Sequence, residues 1–175
     1  MRELEEMIIG SCFGEDQYYK VSFLEPEDFT DYPNHPYREY FTLLKKVKAD
    51  RMCLIQALSV CKNENMKMMM GRYVTAMGVN CIDRYALKLL EIRFKTLLAS
   101  LLSDLYMHSK KDVERDLLNE ASLQIIDTDI FDLSDYLLEY FGAHASEYTK
   151  RRINSFLTYR NKRIDTAKQI IDELN

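Results

Sequence analysis

The stretch from Cys81 to Ile126 constrains this chain more than any other. Leu87, Leu90, Phe94, Leu97, Leu98, Leu101, Leu102 and Leu105 recur at steps of three and four residues. At 3.6 residues per turn, that spacing stacks them on one face of an α-helix. Neither Gly nor Pro interrupts the run. Ser109-Lys110-Lys111-Asp112 then supplies a turn and a helix-start signal of the Ser-x-x-Asp kind. A second stripe follows with Val113, Leu117, Leu118, Ala121 and Ile125. So short a connection makes the two helices antiparallel neighbours. Fully burying a Leu or Phe is worth roughly 1.5–3 kcal/mol, so leaving such a stripe in water costs on the order of 10 kcal/mol or more. The hairpin must bury it on its own chain or on another, and the pattern leaves both open. As an interface, the stripe would offer Leu87, Leu90, Phe94, Leu97, Leu101, Leu105, Leu117 and Ala121 to a partner.

The rest of the composition agrees with helices. In 175 residues there are 5 Gly and 3 Pro, too few for a turn-rich β fold. The net charge of −4 argues against a surface devoted to gripping duplex phosphates. No apolar run reaches the ~18 residues of a membrane span, and the N-terminus lacks a basic-then-apolar leader, so a cytoplasmic location is expected. Cys12, Cys53, Cys61 and Cys81 lack the local spacing of a zinc or thiol-disulfide motif and are expected as small buried residues.

Taken in order, residues 3–13 read as a helix with Leu4, Met7, Ile8 and Ile9 inward and Glu3, Glu5 and Glu6 suiting its start. Gly10 sits inside that pattern, as it would where another backbone approaches closely. Tyr18, Tyr19, Val21 and Phe23 mark a short second helix. Leu24-Glu25-Pro26-Glu27-Asp28-Phe29 is a compact turn, with Pro26 at a helical first position and Phe29 as its anchor. Residues 31–36 are loop chemistry, because two prolines force extended residues before them. Tyr37, Tyr40, Phe41, Leu44 and Val47 restore helical spacing. Asp50 starts a further helix, and Met66 to Met77 makes another, ended by Gly78.

Several of these pieces resemble, in order, the N-terminal collar domain of DnaB-type replicative DNA helicases. Glu6-Met7-Ile8-Ile9-Gly10-Ser11 and the Leu24–Phe29 turn resemble that domain's opening. Arg38-Glu39-Tyr40-Phe41 is similar to its next helix start, with Tyr37 where the family usually has His. Asp50-Arg51-Met52-Cys53-Leu54, Gly71-Arg72-Tyr73-Val74 and Tyr85-Ala86 through Arg93-Phe94 continue the likeness over about residues 3–126. The resemblance implies an all-α fold: a small globular helical head (1–80), then a protruding helical hairpin (81–126). It also implies a hairpin stripe that is partly intermolecular, in a homo-dimer or higher oligomer. The implied partners are a replicative helicase, a primase or a helicase loader. In a phage or mobile element, such a free domain would recruit or block the host helicase.

The chain departs from the family where its chemistry lies. Glycines stand only at 10, 14, 71, 78 and 142, so no Gly-x-x-x-x-Gly-Lys-(Ser/Thr) loop exists to cradle nucleotide phosphates. The expectation is an interaction protein without catalysis, cofactor or metal. The alternative is the regulatory N-terminal part of a longer ATP-dependent helicase.

The C-terminal extension (127–175) lies outside the resemblance. Asp132 starts a short helix ended by Gly142, and Ser146 to Leu174 reads as one long final helix. Ile153, Leu157, Ile164, Ala167, Ile171 and Leu174 form a heptad-like seam, with Arg160 as its exception. The helix either folds back on the head or meets a partner helix. Its Lys150, Arg151, Arg152, Arg160 and Arg163, interleaved with Tyr148, Phe156 and Tyr159, define a second alternative function, contact with nucleic acid. His35, His108 and His144 show no ligand spacing, and no nucleophile elbow is present. The Met cluster at 66–70 reads as core filler or as a partner groove.

Overall fold

The computed structural model describes residues 1–12, 17–32, 35–49, 81–129 and 144–173, with single positions at 59, 64, 67, 68, 132, 136, 137 and 141. The fold is all-α. Among the described residues, the helices are α1 (Arg2–Ser11), α2 (Tyr37–Ala49), α3 (Ile82–His108), α4 (Asp112–Gln124) and α5 (Glu147–Asp172). The chain divides into two compact units, residues 1–90 with 166–175, and residues 91–165. The helices expected from Asp50 and over 66–78 lie outside the described residues, as do Cys53, Cys61 and the Gly71–Val74 motif.

In the first unit, α1 turns Ile8 and Ile9 inward, with Gly10 buried beside them, and packs on α2. Tyr37, Tyr40, Phe41, Leu44 and Val47 form the buried face of α2, following their three- and four-residue spacing. The second element is a single 3-10 turn, Tyr19–Val21, shorter than the spacing of its aromatics suggests. Pro26 begins another, Pro26–Asp28, closed by a capping box in which the Glu25 N–H donates to Asp28 Oδ2 at 2.7 Å. Phe29 follows fully buried, its ring 4.5 Å from that of Phe41. Lys45 of α2 donates to Leu24 O and Glu25 Oε2, tying the turn to the helix. The stretch read as loop holds a small antiparallel ladder, β1 (Asp31–Tyr32) with β2 (His35–Pro36), pairing Asp31 with Pro36 and Tyr32 with His35. The prolines account for it: each holds the residue before it extended, so Tyr32 and His35 lie ready to pair.

In the second unit, α3 and α4 are joined by residues 109–111 and run antiparallel. Lys95 Nζ of α3 reaches Ile126 O, just past the end of α4, at 3.0 Å. Leu98, Leu102 and Leu105 of α3 share one core with Leu118 and Ala121 of α4, Ile125 beyond it, and Ile153 and Leu157 of α5. Leu137, Phe141 and Ala145 complete it. Segments 81–126 and 127–175, separate on the sequence reading, therefore share a core, because α5 supplies apolar residues on the same three- and four-residue register. The first unit, expected over 1–80, runs on into α3, where Ile82, Ala86, Leu89 and Leu90 are buried. The expected cap also differs. Lys111, not Ser109, is the N-cap of α4 and makes no side-chain cap bond. Ser109 Oγ donates instead to Glu114 Oε2 at 2.8 Å, an ionised and hence stronger acceptor.

Candidate interaction surfaces

The hairpin stripe is divided between a covered and an uncovered part. Of the eight residues assigned to a partner, Leu90, Phe94, Leu105 and Ala121 are buried by the chain itself. Leu87, Leu101 and Leu117 are half-buried, and Leu97 is 38% exposed. The covering element in the second unit is α5: Phe94 meets Phe156 and Tyr159 edge-on at 6.2 and 6.0 Å, and Leu105 and Ala121 lie in the core that Ile153 and Leu157 complete. Buried side chains such as these give a second protein nothing to touch, so the interface assignment fails for those four. Among the described residues, the large apolar groups that α3, α4 and the residues just after α4 leave on the outside of this unit are Leu97, Tyr106, Met107, Val113, Leu123 and Ile126.

At one end of this core lies a buried carboxylate that hydropathy reading passes over. Glu114 is 5% exposed and sits on the α4 register that continues through Leu118, Ala121 and Ile125. Its Oε1 accepts the Ser146 N–H at 2.9 Å and the Thr149 hydroxyl at 2.7 Å, while Oε2 accepts the Ser109 hydroxyl. Burial would raise its pKa, but the hydrogen bonds from Thr149, Ser146 and Ser109 outweigh that and hold it at about 2. Ser146 Oγ in turn accepts the Thr149 N–H at 3.3 Å, the bond of an N-cap on α5. One carboxylate thus ties the α3–α4 turn to the start of α5. An acid on an apolar register was its only signal in the sequence.

The first unit contains the opposite case. Glu5 of α1 is fully buried and accepts the Thr30 N–H through Oε1 at 2.7 Å. Here burial dominates over the bonds from Thr30 and Tyr32, and the pKa is raised above its ordinary 4.5. Burial likewise pushes the Tyr18 hydroxyl up to about 12, with Cys12 and Glu25 adding to it, and raises the Cys12 thiol. Neither group is poised for chemistry at neutral pH.

The cations assigned to nucleic acid separate in the same way. Arg151 and Arg152 are exposed, and Lys150 and Arg163 are half-buried. Arg160 is 4% exposed and bonds Asn161 Oδ1, so it is not a surface contact. It occupies the seam position between Leu157 and Ile164, and the heptad register that made it an exception is what draws it inside. Arg152 Nη1 donates to the Tyr148 hydroxyl at 2.9 Å, and Arg163 Nη1 to the Tyr159 hydroxyl at the same distance. Among the described residues, no group of His, Cys, Asp and Glu is arranged to hold a metal ion, and no helix is long and apolar enough to cross a membrane.

Comparison with family models, with curated proteins and with solved structures finds no match to this chain.

Proposed function

We propose that this chain is a non-catalytic interaction protein of DNA replication, binding a replicative helicase, primase or helicase loader through the outer surface of its hairpin. One observation carries the reading, the order of the elements. A capped turn at Pro26–Asp28 with Phe29 in a core is followed by a helix from Tyr37 and then by the hairpin of α3 and α4. That is the order in which the collar-like motifs run. The exposed Leu97, Tyr106, Met107, Val113, Leu123 and Ile126 are the apolar anchors such a partner needs. Self-association belongs to the same reading and draws on the same outer residues, since the inner stripe is occupied by α5. In a phage or mobile element, the consequence is recruitment or blocking of the host helicase.

The test is capture of purified replicative helicase, primase and loader by the tagged chain, beside Leu97→Asp and Leu123→Asp. The expected result is retention of one of the three, weakened by at least one substitution that leaves thermal stability in place. Retention of none, or retention indifferent to both substitutions, overturns the proposal. Sedimentation at high concentration checks self-association, and a strict monomer removes it from the reading.

A further inference from the structure

Along α5, the same small arrangement occurs twice. Tyr148 and Arg152 pair one turn apart, and so do Tyr159 and Arg163. In each pair the guanidinium carbon lies 5.9 Å from the ring centroid while its Nη1 bonds the hydroxyl. The pairs are eleven residues apart. At 3.6 residues per turn and 1.5 Å per residue, the second ring returns to within about 20° of the first, about 16.5 Å further along. Both rings stay open to solvent, Tyr148 54% and Tyr159 47% exposed.

Four of the seven cations of the helix lie along this line, while Lys150, Arg160 and Lys168 lie off it. Tyr148, Arg151, Arg152, Tyr159, Lys162 and Arg163 fall within one arc of about 120°. The three acids of α5, Glu147, Asp165 and Asp172, sit together about 110° from the middle of that arc. Asp104 of α3 meets Arg152 Nη2 at 3.4 Å, a long and partly exposed contact worth little. A basic strip with exposed rings repeated along it is therefore set on a protein whose net charge is −4.

We propose that this face of α5 binds a single-stranded polynucleotide, its bases stacking on Tyr148 and Tyr159 and its phosphates meeting Arg151, Arg152, Lys162 and Arg163. Rings alone would suit many apolar partners, and cations alone many acidic ones. Alternation of the two along one line matches a strand that carries a base and a phosphate at every step. The 16.5 Å between rings is about five steps of a stacked strand at 3.4 Å each. The paired Arg holds each Tyr by its hydroxyl, so less side-chain freedom is lost when a base stacks. A duplex, whose bases are already stacked inward, gains nothing from the rings. This inference stands apart from the protein-binding role proposed for the hairpin, and failure of one leaves the other standing.

The experiment is fluorescence anisotropy of a labelled oligothymidylate with the full chain, at several salt concentrations. Four phosphate contacts give a log–log salt slope of about −3, so affinity falls about 50-fold between 50 and 200 mM salt. Tyr148→Ala is expected to weaken binding about 10-fold or more, and Tyr148→Phe to keep most of it, because stacking uses the ring. Tyr148 is exposed, so neither substitution should move the melting temperature. Arg151→Gln with Arg152→Gln should flatten the slope by about 1.4. No binding at low salt, equal binding by Tyr148→Ala, tighter binding of a duplex of the same length, or displacement by polyglutamate as readily as by unlabelled oligonucleotide overturns the proposal.

Discussion

Replacing Glu114 by Gln tests how the second unit is held together. The carboxylate titrates at about 2 in the fold against an ordinary 4.5, a difference worth about 3 kcal/mol at neutral pH. Its folded pKa is depressed, so that stabilisation is fully present above pH 4.5 and is lost as the pH falls from there towards 2. Gln keeps the shape and one acceptor oxygen but not the charge. It faces three donors, the Ser146 N–H and the hydroxyls of Thr149 and Ser109. The amide oxygen can satisfy those that Oε1 now accepts, while its NH2 group meets Ser109 with a donor instead of an acceptor. The expected cost at pH 7 is therefore about 2–3 kcal/mol, or roughly 4–12 °C in melting temperature for a chain of this size. Urea unfolding followed by circular dichroism at pH 7, 5, 4 and 3 measures it. The gap between parent and variant should hold from pH 7 to 5 and close below 4.5, because only the parent has a carboxylate to protonate. A variant as stable as the parent at pH 7, or a gap that stays constant down to pH 3, refutes the argument that the charge-assisted bonds outweigh burial.

Glu5 predicts the opposite sign. Its pKa is raised by burial, so its favourable state is the protonated one, present below the ordinary 4.5 and lost as the pH rises through the folded value. Glu5→Gln keeps an acceptor for the Thr30 N–H and should leave the protein as stable as the parent or more so at pH 7, read by the same unfolding curves. Cys81 stands just before α3 with φ at 69°, in the left-handed region that a side chain disfavours. Cys81→Gly should raise stability by about 0.5–1 kcal/mol, and loss of stability would show that the thiol side chain contributes more than the backbone strain costs. Leu98→Ala should cost about 2–5 kcal/mol and Leu97→Ala less than about 1, since the first is fully buried and its neighbour is not. Equal costs in calorimetry would contradict the placement of the stripe.

The two rods of the hairpin were readable because a helix announces its buried face every 3.6 residues. The spacing through Leu90, Phe94, Leu98, Leu102 and Leu105 does so without interruption, and α3 and α4 lie over it. Periodicity says which face is covered, not by what. That is why the stripe read equally well as core or interface until Ile153 and Leu157 were seen against it. The turn at Pro26 was readable from Pro chemistry, while the two-residue ladder at Asp31–Pro36 was not, because its pairing is a backbone matter that leaves no side-chain pattern. Polar residues on apolar registers were the hardest. Glu114 continues the line of Leu118, Ala121 and Ile125, and Arg160 the line of Ile153, Leu157 and Ile164, and both are buried. Charge alone points such residues to solvent, whereas position on the helix decided.

The cover that α5 places on the hairpin bears directly on how a partner is met. For a second protein to reach Leu98 or Leu102, α5 must leave, and Ile153 and Leu157 go into water. Two such side chains cost roughly 3–6 kcal/mol, and parting Ser146 and Thr149 from the Glu114 carboxylate adds to that. A partner repays the apolar part by covering the same leucines, but it brings no replacement for the donors that Glu114 loses. Binding at the outer residues involves neither loss. Leu97, Val113, Leu123 and Ile126 are already exposed, and covering them leaves the Glu114 junction intact. The two routes differ in a measurable way. Binding at the outer surface should be insensitive to Glu114→Gln, whereas binding that displaces α5 should tighten as that substitution loosens the helix.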